Sequence, residues 1–178
     1  MRLKSLARSV AWMAADLLFG ALGMMRRLRA GRRQPPPLEE SRSILAIRLD
    51  LVGDLVFTLP AIRALREGAP NASISLLALP YTADLARGLP YVDRVITADV
   101  NGWRRPGEWI WGRARGELRQ VVAAIRAEKP DLCVSFYGRV GAAFALLSGA
   151  GFLVGYGSEG YASTFDLAVA GRRYRRRR

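Results

Sequence analysis

A chain of 178 residues with 51% hydrophobic content suffices for one globular domain with tails and is too apolar for general disorder. The formal net charge is +13, yet 44–171 holds thirteen basic residues against twelve acids; 1–43 carries nine against three, and 172–178 has six arginines and no acid. The basicity thus belongs to the two ends and argues against a nucleic-acid footprint on the fold itself, while a single cysteine, Cys133, and no histidine exclude an intramolecular disulfide, a Cys/His metal site and histidine-dependent nucleophilic catalysis.

Proton chemistry therefore falls to Asp, Glu, Lys or Tyr, and the scarcity of cysteine fits a reducing cytoplasm. The first segment, 1–33, is basic, then apolar, then basic. Arg2, Lys4 and Arg8 precede a 17-residue run, 9–25, and Arg26, Arg27, Arg29, Arg32 and Arg33 follow it. The run contains Asp16, Gly20 and Gly23 and falls short of the ~20 residues of a membrane span. It ends in Met-Met-Arg-Arg, without the small residues of a signal-peptide cleavage site. Leu6, Val10, Met13, Leu17 and Met24 can share one helical face. The segment reads as a basic amphipathic helix on an anionic membrane surface; the alternative is a helix docked on the protein itself. Residues 34–42, with Pro35, Pro36 and Pro37, read as an extended linker, and the domain boundary falls near Ser41.

The main domain, 43–171, opens on SILAIRLDLVGDLVFTLPAIRALR. Ile44, Leu45, Ala46 and Ile47 form the apolar run of a strand buried on both faces. Gly53 is expected to let the backbone turn, and Asp54 to stand at the mouth of a helix with Leu55, Leu59, Ile62 and Leu65 inward. A second strand follows at 73–79, a short helix at 81–87 and a third strand at 93–97. The connection 101–113, with Trp103, Trp109 and Trp111, reads as indoles packed on the domain edge, or as an aromatic patch for lipid or a sugar acceptor. A helix at 116–129 carries Leu118, Val121, Val122 and Ile125 inward and ends before Pro130. A strand at 131–136 with Cys133 buried, an Ala/Gly-rich helix at 138–149 and a strand at 152–156 complete the pattern. Periodicity fades from Glu159 onward, and 172–178 reads as a solvated arginine tail. The alternation predicts an α/β fold: a Rossmann-like, doubly wound, mainly parallel sheet of about five strands. There is neither a G-x-G-x-x-G fingerprint nor a Walker A lysine.

Asp54 lies where open α/β sheets place their ligands, beyond the carboxyl end of the first strand. A general base and a helix cap fit it equally well on the residues alone. Thr58, one helical turn on, can bond Asp54 or a ligand. Gly138 and Arg139 follow the fourth strand at the same sheet edge. Arg48 and Arg63 read as surface arginines, with contact to acidic acceptor groups as the lesser alternative.

The motif IRLDLVGDLVFTLPAIRALR, with Gly53-Asp54, Thr58 and Pro60, resembles the start of the family 9 glycosyltransferases, whose type members are the bacterial lipopolysaccharide heptosyltransferases. The segment LPYVDRVI, 89–96, resembles the same family independently, and the likeness covers roughly 43–166. Members have two Rossmann-like domains in a GT-B arrangement, and this chain is long enough for one. The resemblance implies the amino-terminal, acceptor-side domain of such an enzyme, as a fragment or as half of a split enzyme that works with a separate donor-binding domain. It implies Asp54 as the base of an inverting displacement, with no metal and no cofactor. The donor would be a nucleotide sugar such as ADP-heptose. The acceptor would be a lipid-linked glycan such as a lipopolysaccharide core, met by Gly53, Thr58, Gly138 and Arg139 at the inner face of the cytoplasmic membrane. Ser135 and Tyr137 stand where the family often has an acid and a Gln or His. The alternative is a non-catalytic, membrane-peripheral α/β binding module. Specific nucleic-acid binding, confined to the arginine tail, is the weakest reading.

Overall fold

Ile44, Leu45, Ala46 and Ile47 are fully buried, so the first strand has no solvent face. The computed structural model describes residues 17–26, 28, 34–100, 113–159 and 162–170. In chain order these form helix α1 (17–26), a 3-10 turn at Leu38–Glu40, strand β1 (Ser43–Arg48), α2 (Val52–Gly68), β2 (Ser73–Ala78), α3 (Pro80–Ala86), β3 (Arg94–Thr97), α4 (Arg113–Ala127), β4 (Leu132–Ser135), α5 (Arg139–Ser148), β5 (Phe152–Tyr156), two 3-10 turns and β6 (Leu167–Val169).

The strands make one sheet in the order β3-β2-β1-β4-β5-β6, and every pairing is parallel. From β1 the chain winds outward through β2 to β3, then returns through α4 to β4 on the other side of β1. The strand order therefore reverses between β1 and β4. At such a switch point the two carboxyl-end loops diverge and leave a crevice. One core unites Leu45, Ile47, Cys133 and Leu153 with Val121 and Ile125 of α4 and Phe144 of α5. The other unites Ile44, Ala46, Ile74 and Leu76 with Leu55 and Ile62 of α2. Successive strand residues thus feed opposite layers, as the two-residue period requires.

Three sequence expectations are corrected. Gly53 does not make the turn after β1. It lies inside the first turn of α2, outside the positive-φ glycines of the described residues, and a Cβ there would meet nothing within 4 Å. The reversal is made by Leu49, Asp50 and Leu51 instead. Secondly, the pattern does not end near Glu159. A sixth strand, β6, extends the edge, and its residues Leu167, Ala168 and Val169 are all exposed, so no burial period marks it. Tertiary anchors hold it: Phe165 packs where a side chain on Gly155 would lie 2.3 Å from its ring, and the Asp166 carboxylate accepts the Leu153 amide at 2.8 Å. Thirdly, the helix expected to reach Lys129 stops at Ala127. Lys129 turns left-handed, φ 47°, and its amide donates to the Arg126 carbonyl at 3.1 Å, closing the last turn before Pro130.

Helix α1 is docked on the protein. A Cβ on Gly23 would fall 2.9 Å from backbone atoms of Ser163 and Thr164. Arg26 donates to Asp166 Oδ2 at 2.7 Å and to the carbonyls of Ala150 and Gly151 at 3.2 and 3.1 Å. Leu17, Leu18, Met24, Met25 and Leu28 remain exposed. Among the described residues no helix is long and apolar enough to cross a membrane. The linker is partly incorporated too: Leu38 packs where a side chain on Gly68 would lie. Residues 1–16, the tryptophan-rich 101–112 and the arginine tail lie outside the described residues.

Candidate functional site

The β1–β4 switch point has two lips. One is the β1 end with Asp50 and the first turn of α2; the other is 136–138 with the first turn of α5. Arg48, the last residue of β1, joins them. Its guanidinium donates to the Phe136 carbonyl on the β4 lip. It also lies 3.4 Å from Asp50 Oδ2 and 3.2 Å from Asp54 Oδ1 on the β1 lip. The Arg48 side chain is only 15% exposed, whereas that of Asp54 is 42% exposed. The site thus sets an open carboxylate beside a largely buried cation.

Asp54 does not cap its helix through the side chain, contrary to one of the two sequence readings. Leu51 is the N-cap, without a side-chain bond, and Asp54 is the third residue of α2. In that first turn its charge still faces the positive end of the helix dipole. Leu51 N–H is satisfied by Asp50 Oδ1 at 2.9 Å. The Thr58 hydroxyl is buried and donates to the Asp54 main-chain carbonyl at 2.7 Å. It supports the backbone of residue 54 rather than facing the crevice.

On the opposite lip Gly138 is the N-cap of α5, and its carbonyl accepts Ala142 N–H at 3.0 Å. Arg139 is the first residue of that helix and is exposed. The Ser135 hydroxyl donates to Tyr137 O at 2.9 Å and so shapes the turn. The structure therefore brings Gly53, Asp54, Gly138 and Arg139 to one sheet edge. Arg63 lies nine residues after Asp54, about 14 Å along the helix, and pairs with Glu67 in solvent.

Two residues were undervalued or missed by sequence reasoning. Arg48 read as a surface side chain; the available signal was two aspartates, at i+2 and i+6, across a strand-to-helix turn. Gly141 was not singled out, although a Cβ there would fall 2.4 Å from Ser135 Oγ and 3.1 Å from Tyr137 Cβ. Its absent side chain lets α5 sit down on the end of β4. The solvent face of the first turns of α2 is apolar, with Leu51, Val52, Val56 and Phe57 exposed. Pro60, inside α2, costs the Val56 carbonyl its helical donor, and Val56 is exposed.

Cys133 is no nucleophile. It is fully buried in mid-sheet, and burial pushes its thiol far above the ordinary range. Among the described residues no group of three His, Cys, Asp or Glu side chains is placed to hold a metal ion.

No family model matches the chain. A glycosyltransferase-like protein of Haemophilus influenzae is 29% identical over 94 residues, which is 53% of this chain and 24% of that protein. Among solved structures, E. coli heptosyltransferase WaaC with ADP-2-deoxy-2-fluoro heptose superposes with a TM-score of 0.62 at 19% identity, over 74% of this chain and 44% of that one. The glycosyl transferase family 9 structure from Veillonella parvula gives 0.56 at 22% identity, over 67% of this chain and 32% of that one. The fold is that of the family 9 glycosyltransferases. E. coli ADP-heptose lps heptosyltransferase II agrees, with a TM-score of 0.56 over 72% of this chain and 35% of that one. The family 9 resemblance of the opening motif is therefore borne out at the level of the fold. The chain spans about a quarter of its curated relative and under half of each solved neighbour.

Proposed function

We propose that residues 43–171 form the acceptor-side domain of a family 9-type glycosyltransferase that moves a heptose-type sugar from a nucleotide donor to a lipid-linked glycan. The observation that carries this reading is the open Asp54 carboxylate at the β1–β4 switch point, held beside Arg48. In the proposed reaction Asp54 takes the proton of an acceptor hydroxyl. The hydroxyl oxygen forms the new bond to the anomeric carbon. The bond from that carbon to the diphosphate oxygen breaks, its electron pair leaves with the nucleoside diphosphate, and configuration inverts. No metal is required in this scheme.

ADP-heptose is the donor we favour, because a similar fold has been solved with ADP-2-deoxy-2-fluoro heptose and with ADP. Its binding groups belong to a second domain, in a longer chain or a separate partner. Gly53, Gly138 and Arg139 line the acceptor path, and Thr58 serves it through the backbone of Asp54. The outward leucines and methionines of α1, with the arginines and lysine of 1–33, rest on the anionic inner face of the cytoplasmic membrane.

Titration with a water-soluble core glycan, followed by amide NMR shifts, tests the acceptor site without a donor. Shifts are expected at Gly53, Asp54, Gly138 and Arg139; shifts confined to other parts of the sheet would contradict the assignment. A second reading, a membrane-peripheral binding module without catalysis, is favoured by the exposed Leu17, Leu18, Met24 and Met25. It predicts vesicle binding that survives Asp54→Asn and no dependence on a nucleotide sugar.

A further inference from the structure

Residue 54 is held at two points. Thr58 holds its main chain through the 2.7 Å hydrogen bond to Asp54 O, and Arg48 holds its carboxylate through Oδ1 at 3.2 Å. Asp50, the other carboxylate near Arg48, is also tied to Leu51 N–H, so Asp54 is the more open of the two acids. Arg48 Nε is buried without a partner among the described residues. Leaving a buried donor unpaired is unfavourable, and an arginine serving packing alone would be expected to avoid it. The cost is consistent with a guanidinium whose orientation is dictated by its three terminal contacts, to Phe136 O, Asp50 and Asp54. These span both lips of the crevice, and the base of the side chain is fixed because Arg48 pairs with Ala78 in the sheet.

We propose that Arg48 is a positioning residue: it fixes the side-chain rotamer of Asp54 and the spacing of the β1 and β4 lips, so that the carboxylate meets an incoming hydroxyl in one orientation. The proposal rests on the reading of Asp54 as a base, but its geometric part can be tested without turnover. Three-bond couplings from Asp54 N and C′ to Cγ report the χ1 rotamer in the full chain. Wild type is expected to show one rotamer, and Arg48→Met an average over at least two, with the dispersed amide spectrum of a folded protein. A single, unchanged rotamer in Arg48→Met would overturn the proposal. Should the methionine variant fail to fold, Arg48→Gln, which keeps a donor for Phe136 O, is read by the same two outcomes. With the donor-binding domain supplied, ADP-heptose and a core acceptor, Arg48→Met is expected to lose about ten- to a hundredfold in kcat, with KM for the acceptor changed less than about threefold, and Arg48→Lys to recover part of the loss. A loss falling wholly on KM would make Arg48 an acceptor contact and contradict positioning. Absence of turnover in wild type with the donor-binding domain supplied would count against the transferase reading, and the couplings would still decide the role of Arg48.

Discussion

Gly141 shows how the site depends on a residue that performs no chemistry. Its missing side chain leaves room for Ser135 Oγ, and that hydroxyl in turn holds Tyr137 O. Gly141→Ala is expected to destabilise the protein by about 1–3 kcal/mol in urea unfolding, because overpacking outweighs the gain in helix propensity. Combining it with Ser135→Ala should recover part of the loss, since the closest contact disappears. Cys133 gives a prediction in pH. Its thiol is pushed up in the fold by burial, whereas in the unfolded chain it titrates near ~8.5. Above that pH the unfolded state binds fewer protons than the folded one, so stability should fall as pH rises, by up to ~1.4 kcal/mol per pH unit. The cysteine's share of that slope should vanish in Cys133→Ala. At this scale the position of Asp54 was legible, because an acid just after a buried strand falls in the first turn of the helix that follows. Arg48 was not legible, because its meaning lies in Phe136, 88 positions away along the chain.

Elements with a full burial period were readable, and those held by single anchors were not. β5 coincides with its expected span, 152–156, because apolar residues bounded by glycines admit little else. β6 is exposed along its length and is held by Phe165 and Asp166, contacts that no local pattern encodes. Helix α1 follows the same logic. Its outward face was legible in Leu17 and Met24, but docking needed the partners of Gly23 and Arg26. The Asp166 side chain is 5% exposed, so Arg26→Ala leaves a nearly buried carboxylate without its cation. That should cost about 3 kcal/mol. Limited proteolysis should then release 17–28 before it cuts the β1–β5 body. Equal cleavage rates in wild type and variant would show that Arg26 does not secure the helix.

For the molecule as a whole, topology selects one place for chemistry. A parallel sheet that reverses its order between β1 and β4 opens a crevice there. The part-exposed Asp54 carboxylate, the largely buried Arg48 and the cap of α5 meet at that point. The surplus charge belongs to 1–43 and 172–178 of the sequence, and 44–171 is close to neutral. Binding to anionic vesicles should therefore weaken steeply with salt and should be unchanged by Asp54→Asn, as measured by co-sedimentation. The proposed role of Asp54 as base is read from acceptor-dependent release of ADP from ADP-heptose, compared between wild type and Asp54→Asn with the donor-binding domain supplied. Asp54→Asn is expected to lose roughly 10²- to 10⁴-fold in rate with acceptor binding retained. Equal, measurable release by the two proteins would show that Asp54 is not the base.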